Sequence, residues 1–217
     1  MPRQIAAGQT DVAPQTALEQ WSNDNNVFQF IRVEDIAYDR NNPRVVYFAD
    51  TGERRAIADP ATGRLMRGSS STNGPFPNGR IFKMVFKSNN PRKVVSFSIL
   101  LDNDLGGYSN LAVMHQPDNV DTSENSLMVQ EDSSQAPFSR IWRYNFATET
   151  WSVVASVNDQ GWESSGIVDA SAWFGDGAWL VDVQAHNVFV ATDTTTIPGT
   201  TIKREAGQLL LLILPGT

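Results

Sequence analysis

The chain has 217 residues, a formal net charge of −7 and no cysteine. A net-acidic protein is a poor partner for the nucleic-acid backbone, and without thiols there can be no disulfide, thiolate zinc site or cysteine nucleophile within the chain. Hydrophobic residues at 41% against charged residues at 19% give the balance of a packed globular core and exclude wholesale disorder.

In chain order, residues 1–27 are expected to form an N-terminal arm or a closing strand, with a short helical turn around Ala17–Trp21. Met1 to Thr16 has no apolar stretch, so it does not read as a signal peptide. The longest apolar run, Leu209–Pro215, is too short to cross a bilayer, and no membrane partner is expected. From Phe28 onward, short apolar or alternating runs separated by turn residues predict strands. The first four are Arg32–Tyr38, Val45–Asp50, Arg80–Phe86 and Val94–Leu101. The next four are Tyr108–Met114, Ser126–Asp132, Ser139–Phe146 and Trp151–Val157, and the last three are Trp162–Val168, Trp179–His186 and Gly207–Leu214. Between the second and third, Asp59 to Gly79 is rich in Asp-Pro, Thr-Gly and Asn-Gly and predicts a long loop. A loop of that length in a compact domain tends to be functional or to meet a partner.

The strands recur as a unit. Gly79-Arg-Ile-Phe-Lys-Met-Val-Phe86 matches Ser139-Arg-Ile-Trp-Arg-Tyr-Asn-Phe146, and Gly207-Gln-Leu-Leu-Leu-Leu-Ile-Leu214 is a more apolar third version. Each follows a strand with a polar or acidic end, and each of those follows another strand. Tandem antiparallel four-stranded units are the grammar of propeller blades. The predicted fold is therefore all-β: a partial β-propeller of about three four-stranded antiparallel blades. Residues 28–217 divide into blades at about 28–102, 103–158 and 159–217, the last without its fourth strand. Propellers contain about four to eight blades, so self-association or a second polypeptide is expected to complete the ring.

In such a ring the first strand of each blade lines the axis. The starts of those strands bring together Glu34 or Asp35, Asn110 and Glu163, and the ends of the second strands add Glu131 and Asp132. Converging carboxylate and amide oxygens repel unless a cation neutralises them, and hard oxygen donors suit calcium. Arg32 and Glu34 share a side of their strand, and an arginine beside a metal-binding carboxylate is a bidentate partner for phosphate. His115 and His186 are expected to be structural. No phosphate-binding loop, dinucleotide fingerprint or nucleophile elbow is present.

Phe30-Ile-Arg-Val-Glu-Asp-Ile-Ala-Tyr-Asp39 resembles the Arg-Pro-Glu-Asp/Gly segment of PhoX-type alkaline phosphatases. Leu127-Met-Val-Gln-Glu-Asp132, Ile141-Trp-Arg-Tyr144, Trp162–Asp169, Trp179-Leu-Val-Asp-Val-Gln-Ala-His186 and Gly207–Leu212 follow in the family's order. The resemblance implies a metal-dependent phosphomonoesterase with axial calcium and iron, acting on phosphate monoesters in the periplasm or outside the cell. It implies that Arg32 holds the substrate phosphate and that Glu34 binds metal, with Asn110, Glu131 and Asp132 as further candidates. Val33 replaces the family's proline, the family's cysteine ligand to iron has no counterpart, and the family is much longer. A calcium-binding or scaffold fragment without turnover, and a lactonase-like propeller hydrolase, are the competing readings.

Overall fold

The computed structural model describes residues 15–132, 139–158, 162–193 and 202–215. Strands β1 (Val33–Tyr38), β2 (Val45–Asp50), β5 (Arg80–Lys87) and β6 (Asn90–Asp102) form one antiparallel sheet in the order β1-β2-β5-β6. Strands β7 (Pro117–Thr122), β8 (Ser126–Glu131), β9 (Ser139–Asn145) and β10 (Thr150–Val157) form the second, in the same sequential order. Strands β11 (Trp162–Asp169), β12 (Ala178–Asp193) and β13 (Ile202–Ile213) form a three-stranded third. The first strands adjoin one another, β1 beside β7 and β7 beside β11, so the three sheets radiate from a common axis as propeller blades. Among the described residues the third sheet has three strands and no fourth, as its sequence predicts.

Alternation across β8 explains why the blades stack. Its six residues are all buried, because both faces of the middle blade are covered. Leu127 and Val129 pack against Tyr47, Ala49 and Ile81 of the first blade. Met128 packs with Ile141 against Ile167, Trp179 and Val181 of the third. Side chains two apart on a strand share a face, so one strand serves both inter-blade cores. On the far side of the first blade, Phe48, Phe82 and Phe97 stack across three strands at centroid separations of 5.1 and 5.2 Å. Phe30 closes edge-on over this ladder.

Two expectations are revised. The first strand of the second blade is not Tyr108–Met114, which forms turns, but Pro117–Thr122. Leu111, Ala112, Val113 and Met114 mimic a strand in composition, yet the connection from the outer edge of one blade to the axis of the next has to run there. The segment Asp59–Gly79 also carries structure: its β4 (Leu65–Arg67) pairs as a hairpin with β3 (Ala56–Ala58), which just precedes it. Its neck is narrow. A Cβ on Gly52, whose φ is +80°, would lie 2.7 Å from the Gly79 amide nitrogen, so only glycine fits.

The N-terminal helix α1 (Gln15–Asp24) extends the predicted helical turn. Arg64 ties it to the hairpin, donating to Asn23 Oδ1 at 2.8 Å and to the Val27 carbonyl at 2.8 Å. Residues 15–24 thus lie against the first blade's insertion and add no strand to the third. Residues 1–14 of the expected arm lie outside the described residues.

Candidate functional site

Each inner strand breaks register with its neighbour at the same place. β1 does so between Val33 and Ile36, β7 between Pro117 and Val120, and β11 between Ser164 and Gly166. A bulge adds a residue, sharpens the local twist and re-aims side chains. The registers align the repeats: Val33 faces Asp50, Pro117 faces Glu131 and Ser164 faces Val183. Glu34 of the first blade therefore corresponds to Asp118 of the second and to Ser165 of the third.

These bulges bring acidic groups together at one end of the axis. Burial pushes the Asp118 carboxyl up to about 6, and the neighbouring Glu34, Asp132 and Asp35 carboxylates push the same way, opposed by the Arg32 guanidinium. Arg32 donates to Glu34 Oε1 at 3.2 Å, and both side chains remain partly exposed. Asp35 is partly committed: its Oδ2 accepts from the Val120 amide of the next blade at 3.0 Å, and its Oδ1 from the Ile36 amide. Arg32, Glu34 and Asp132 of the expected set thus gather in one place. Asp118, which sequence reasoning missed, stands at their centre. A signal for it was present: Gln116-Pro-Asp118 repeats the spacing of Arg32-Val-Glu34 just ahead of the second strand.

The other three expected ligands have partners of their own. Asn110 sits in a turn, where its Oδ1 accepts from the Ala112 amide and its carbonyl meets His115 Nε2 at 2.9 Å. It is displaced from the axis because the strand expected to carry it does not form. Glu131 is fully buried, and both its oxygens are used internally. Oε1 accepts from the His115 amide at 2.8 Å, Arg140 Nη2 at 2.7 Å and Trp142 Nε1 at 2.9 Å; Oε2 accepts from the Arg140 amide at 3.1 Å and Nε at 2.8 Å. Glu163 stands on the third inner strand at the place of Arg32 and Gln116, and it accepts from Ser165 Oγ at 3.1 Å.

The role of Glu131 has a counterpart in the first blade. Asp50 Oδ1 and Oδ2 accept from the Arg32 and Ile31 amides at 2.6 and 3.1 Å. The following amide then closes on the incoming chain, Thr51 on the Arg32 carbonyl and Asp132 on the Gln116 carbonyl. In both blades a buried carboxylate at the end of the second strand fixes the chain entering the first, and so sets where Arg32 or Gln116 stands. His115 is wholly buried within this framework. The side chain of His186 lies outside the described residues.

The donor set is one of oxygens; burial first, and the neighbouring carboxylates after it, hold the Asp118 carboxyl near 6, and a divalent cation would relieve the repulsion among them. It fits calcium. Cysteine-ligated iron, as the resembling family holds it, does not fit, because the chain has no thiolate. Among the described residues, no three histidine, aspartate or glutamate side chains are already drawn into a coordination shell.

The protein is thus a partial β-propeller with a carboxylate-and-arginine cluster at one end of its inner strands. No known protein-family profile matches it, and no curated protein matches it in sequence. Among solved structures it is similar to Pseudomonas fluorescens PhoX in complex with vanadate, a transition state analogue. The TM-score is 0.57 at 15% identity, over 87% of this chain and 35% of that one. At that identity the match shows the fold, and the chain spans about a third of its neighbour. A nidogen/laminin complex superposes at a TM-score of only 0.34, over 70% of this chain and 59% of that one, at 15% identity.

Proposed function

We propose that this chain carries part of a metal-dependent phosphomonoesterase site, with Arg32 receiving the substrate phosphate. Glu34, Asp118 and Asp132 would hold a calcium ion. The observation behind this reading is the gathering of Arg32, Glu34 and Asp132 around Asp118, with Glu34 and Asp118 at matching bulges of a fold shared with PhoX. When bound, such an ion neutralises developing charge on phosphoryl oxygens.

The chain's own residues supply the rest. Arg32 presents a guanidinium fork suited to two phosphate oxygens, and its partial exposure leaves it open to solvent. Glu34 limits its swing through the 3.2 Å contact. Asp50, buried beneath, fixes the Arg32 backbone through the 2.6 Å bond. Asp35 ties the first blade to the second at Val120, so the two donor-bearing blades are held in one frame. Location in the periplasm or outside the cell is proposed from the family resemblance alone. A second reading, calcium binding without turnover, is favoured by the chain's one-third coverage of its neighbour.

The test is hydrolysis of a simple aryl phosphate with and without calcium, beside the affinity for inorganic phosphate. Native chain should bind phosphate in a calcium-dependent way, and Arg32→Ala should weaken that binding by at least ~tenfold, the loss expected for a charge-assisted bidentate contact. Phosphate binding unaffected by Arg32→Ala would remove the assignment. Calcium binding without hydrolysis would select the second reading.

A further inference from the structure

The insertion between β2 and β5 rises from the end of the blade where Arg32 stands. Asp50 ends one strand, Arg80 begins the next, and the two face each other in register. The insertion, helix α1 and the segment entering β1 enclose an open groove of about 1330 Å³, and Arg32 is part of its lining. Ligand sites for drug-sized molecules occupy roughly 300–1,000 Å³, so this space far exceeds the needs of a phosphate group. Its walls are mixed, with an apolar side made of Leu18, Phe28, Phe30, Leu65 and Met66.

The walls are built rather than incidental. Gln29 bonds Leu65 twice, its Oε1 accepting from the amide at 2.8 Å and its Nε2 donating to the carbonyl at 3.4 Å. Glu53 accepts from the Arg55 amide at 2.9 Å and pairs with Arg67 at 3.3 Å. The Phe28 ring stands 63% exposed, held edge-on by Phe30 at 4.9 Å and Phe97 at 5.7 Å. A rigid exposed ring beside a flexible methionine is a surface for stacking an aromatic group. Charge is complementary as well: arginines 32, 64 and 67 outnumber the acids Glu53 and Asp59 in the lining, which suits a ligand that is anionic overall.

We infer that this groove receives the alcohol portion of an aromatic phosphate monoester while Arg32 holds its phosphate. The site thereby selects aryl or nucleobase-bearing esters over small aliphatic ones. The inference rests on the reading of Arg32 as the phosphate site, and the test separates the two. Inorganic phosphate, methylphosphonate and phenylphosphonate are titrated into the full chain by calorimetry, with calcium present. Phenylphosphonate should bind ~10-fold more tightly than methylphosphonate, from the extra apolar area it buries. The ratio should fall toward one in Met66→Asp and in Phe28→Ala, each checked for native fold by circular dichroism. Equal affinities in the native chain, with phosphate still bound, would overturn the groove and leave the arginine site standing. Failure of all three anions to bind would overturn both.

Discussion

Replacing Glu131 with glutamine separates a framework carboxylate from a metal ligand. Its two oxygens accept five hydrogen bonds, three of them from Arg140, and the side chain is fully buried. Glutamine offers one acceptor oxygen. In either orientation its amide group faces donors, and Arg140 loses its counter-charge. Removing one partner of a buried ion pair costs about 3–5 kcal/mol. Because the Arg140 side chain retains 16% of its accessible surface and can be partly rehydrated, ~3 kcal/mol is the expected loss. Urea unfolding followed by tryptophan fluorescence measures it, since Trp142 donates to this same carboxylate. An unchanged dependence on urea would place the effect in stability and not in the extent of unfolding. Calcium should raise the midpoint of the variant as much as that of the native chain. A loss below ~1 kcal/mol, or a calcium effect that disappears with Glu131, would refute the framework role.

Two further outcomes are expected. Burial holds the Asp104 and Asp118 carboxyls up to about 6, above their ordinary 3.8. A raised carboxyl favours folding only while protonated, so these groups should lower stability as pH rises from about 4 through 6; calcium should flatten the Asp118 part alone, and a urea midpoint rising over that range in the native chain relative to Asp104→Asn and Asp118→Asn would contradict this. The β13 edge, carrying exposed Leu209, Leu211 and Ile213, has no outer strand among the described residues and is the kind of surface proteins keep covered. Equilibrium sedimentation should give a mass near twice 23.9 kDa if a second copy covers it, and a monomer at high concentration would exclude that closure.

Much of the fold was legible because apolar alternation and the repeated Arg-Ile-aromatic strand are local signals. Arg80 and Arg140 stand at matching places, opposite Asp50 and beside Glu131 respectively. The inner strand of the second blade was hidden because Pro117, Asp118 and Asn119 have turn composition, and a proline is tolerated only at the start of a strand. Its neighbour Leu111–Met114 has strand composition but is turn. The site was legible as a type of chemistry, oxygen donors beside an arginine. By residue it was less legible: Asp118 was hidden with its strand, and the burial of Glu131 cannot be read from one residue's identity.

The three bulges are structurally equivalent, but their chemistry is not. The first blade places Glu34 and Asp35 there, the second Asp118 and Asn119, and the third Ser165 and Gly166. Charge therefore falls from two carboxylates to one to none around the axis, while the backbone irregularity that aims them is retained. Were the bulges only a means of stacking blades, the third would have no reason to differ in charge. Were every blade a ligand-bearing blade, serine would be a weak replacement for carboxylate, since a neutral hydroxyl does not offset a divalent charge. The cluster is thus centred between the first two blades, on the side where Asp35 bonds Val120 and where the groove opens beside Arg32.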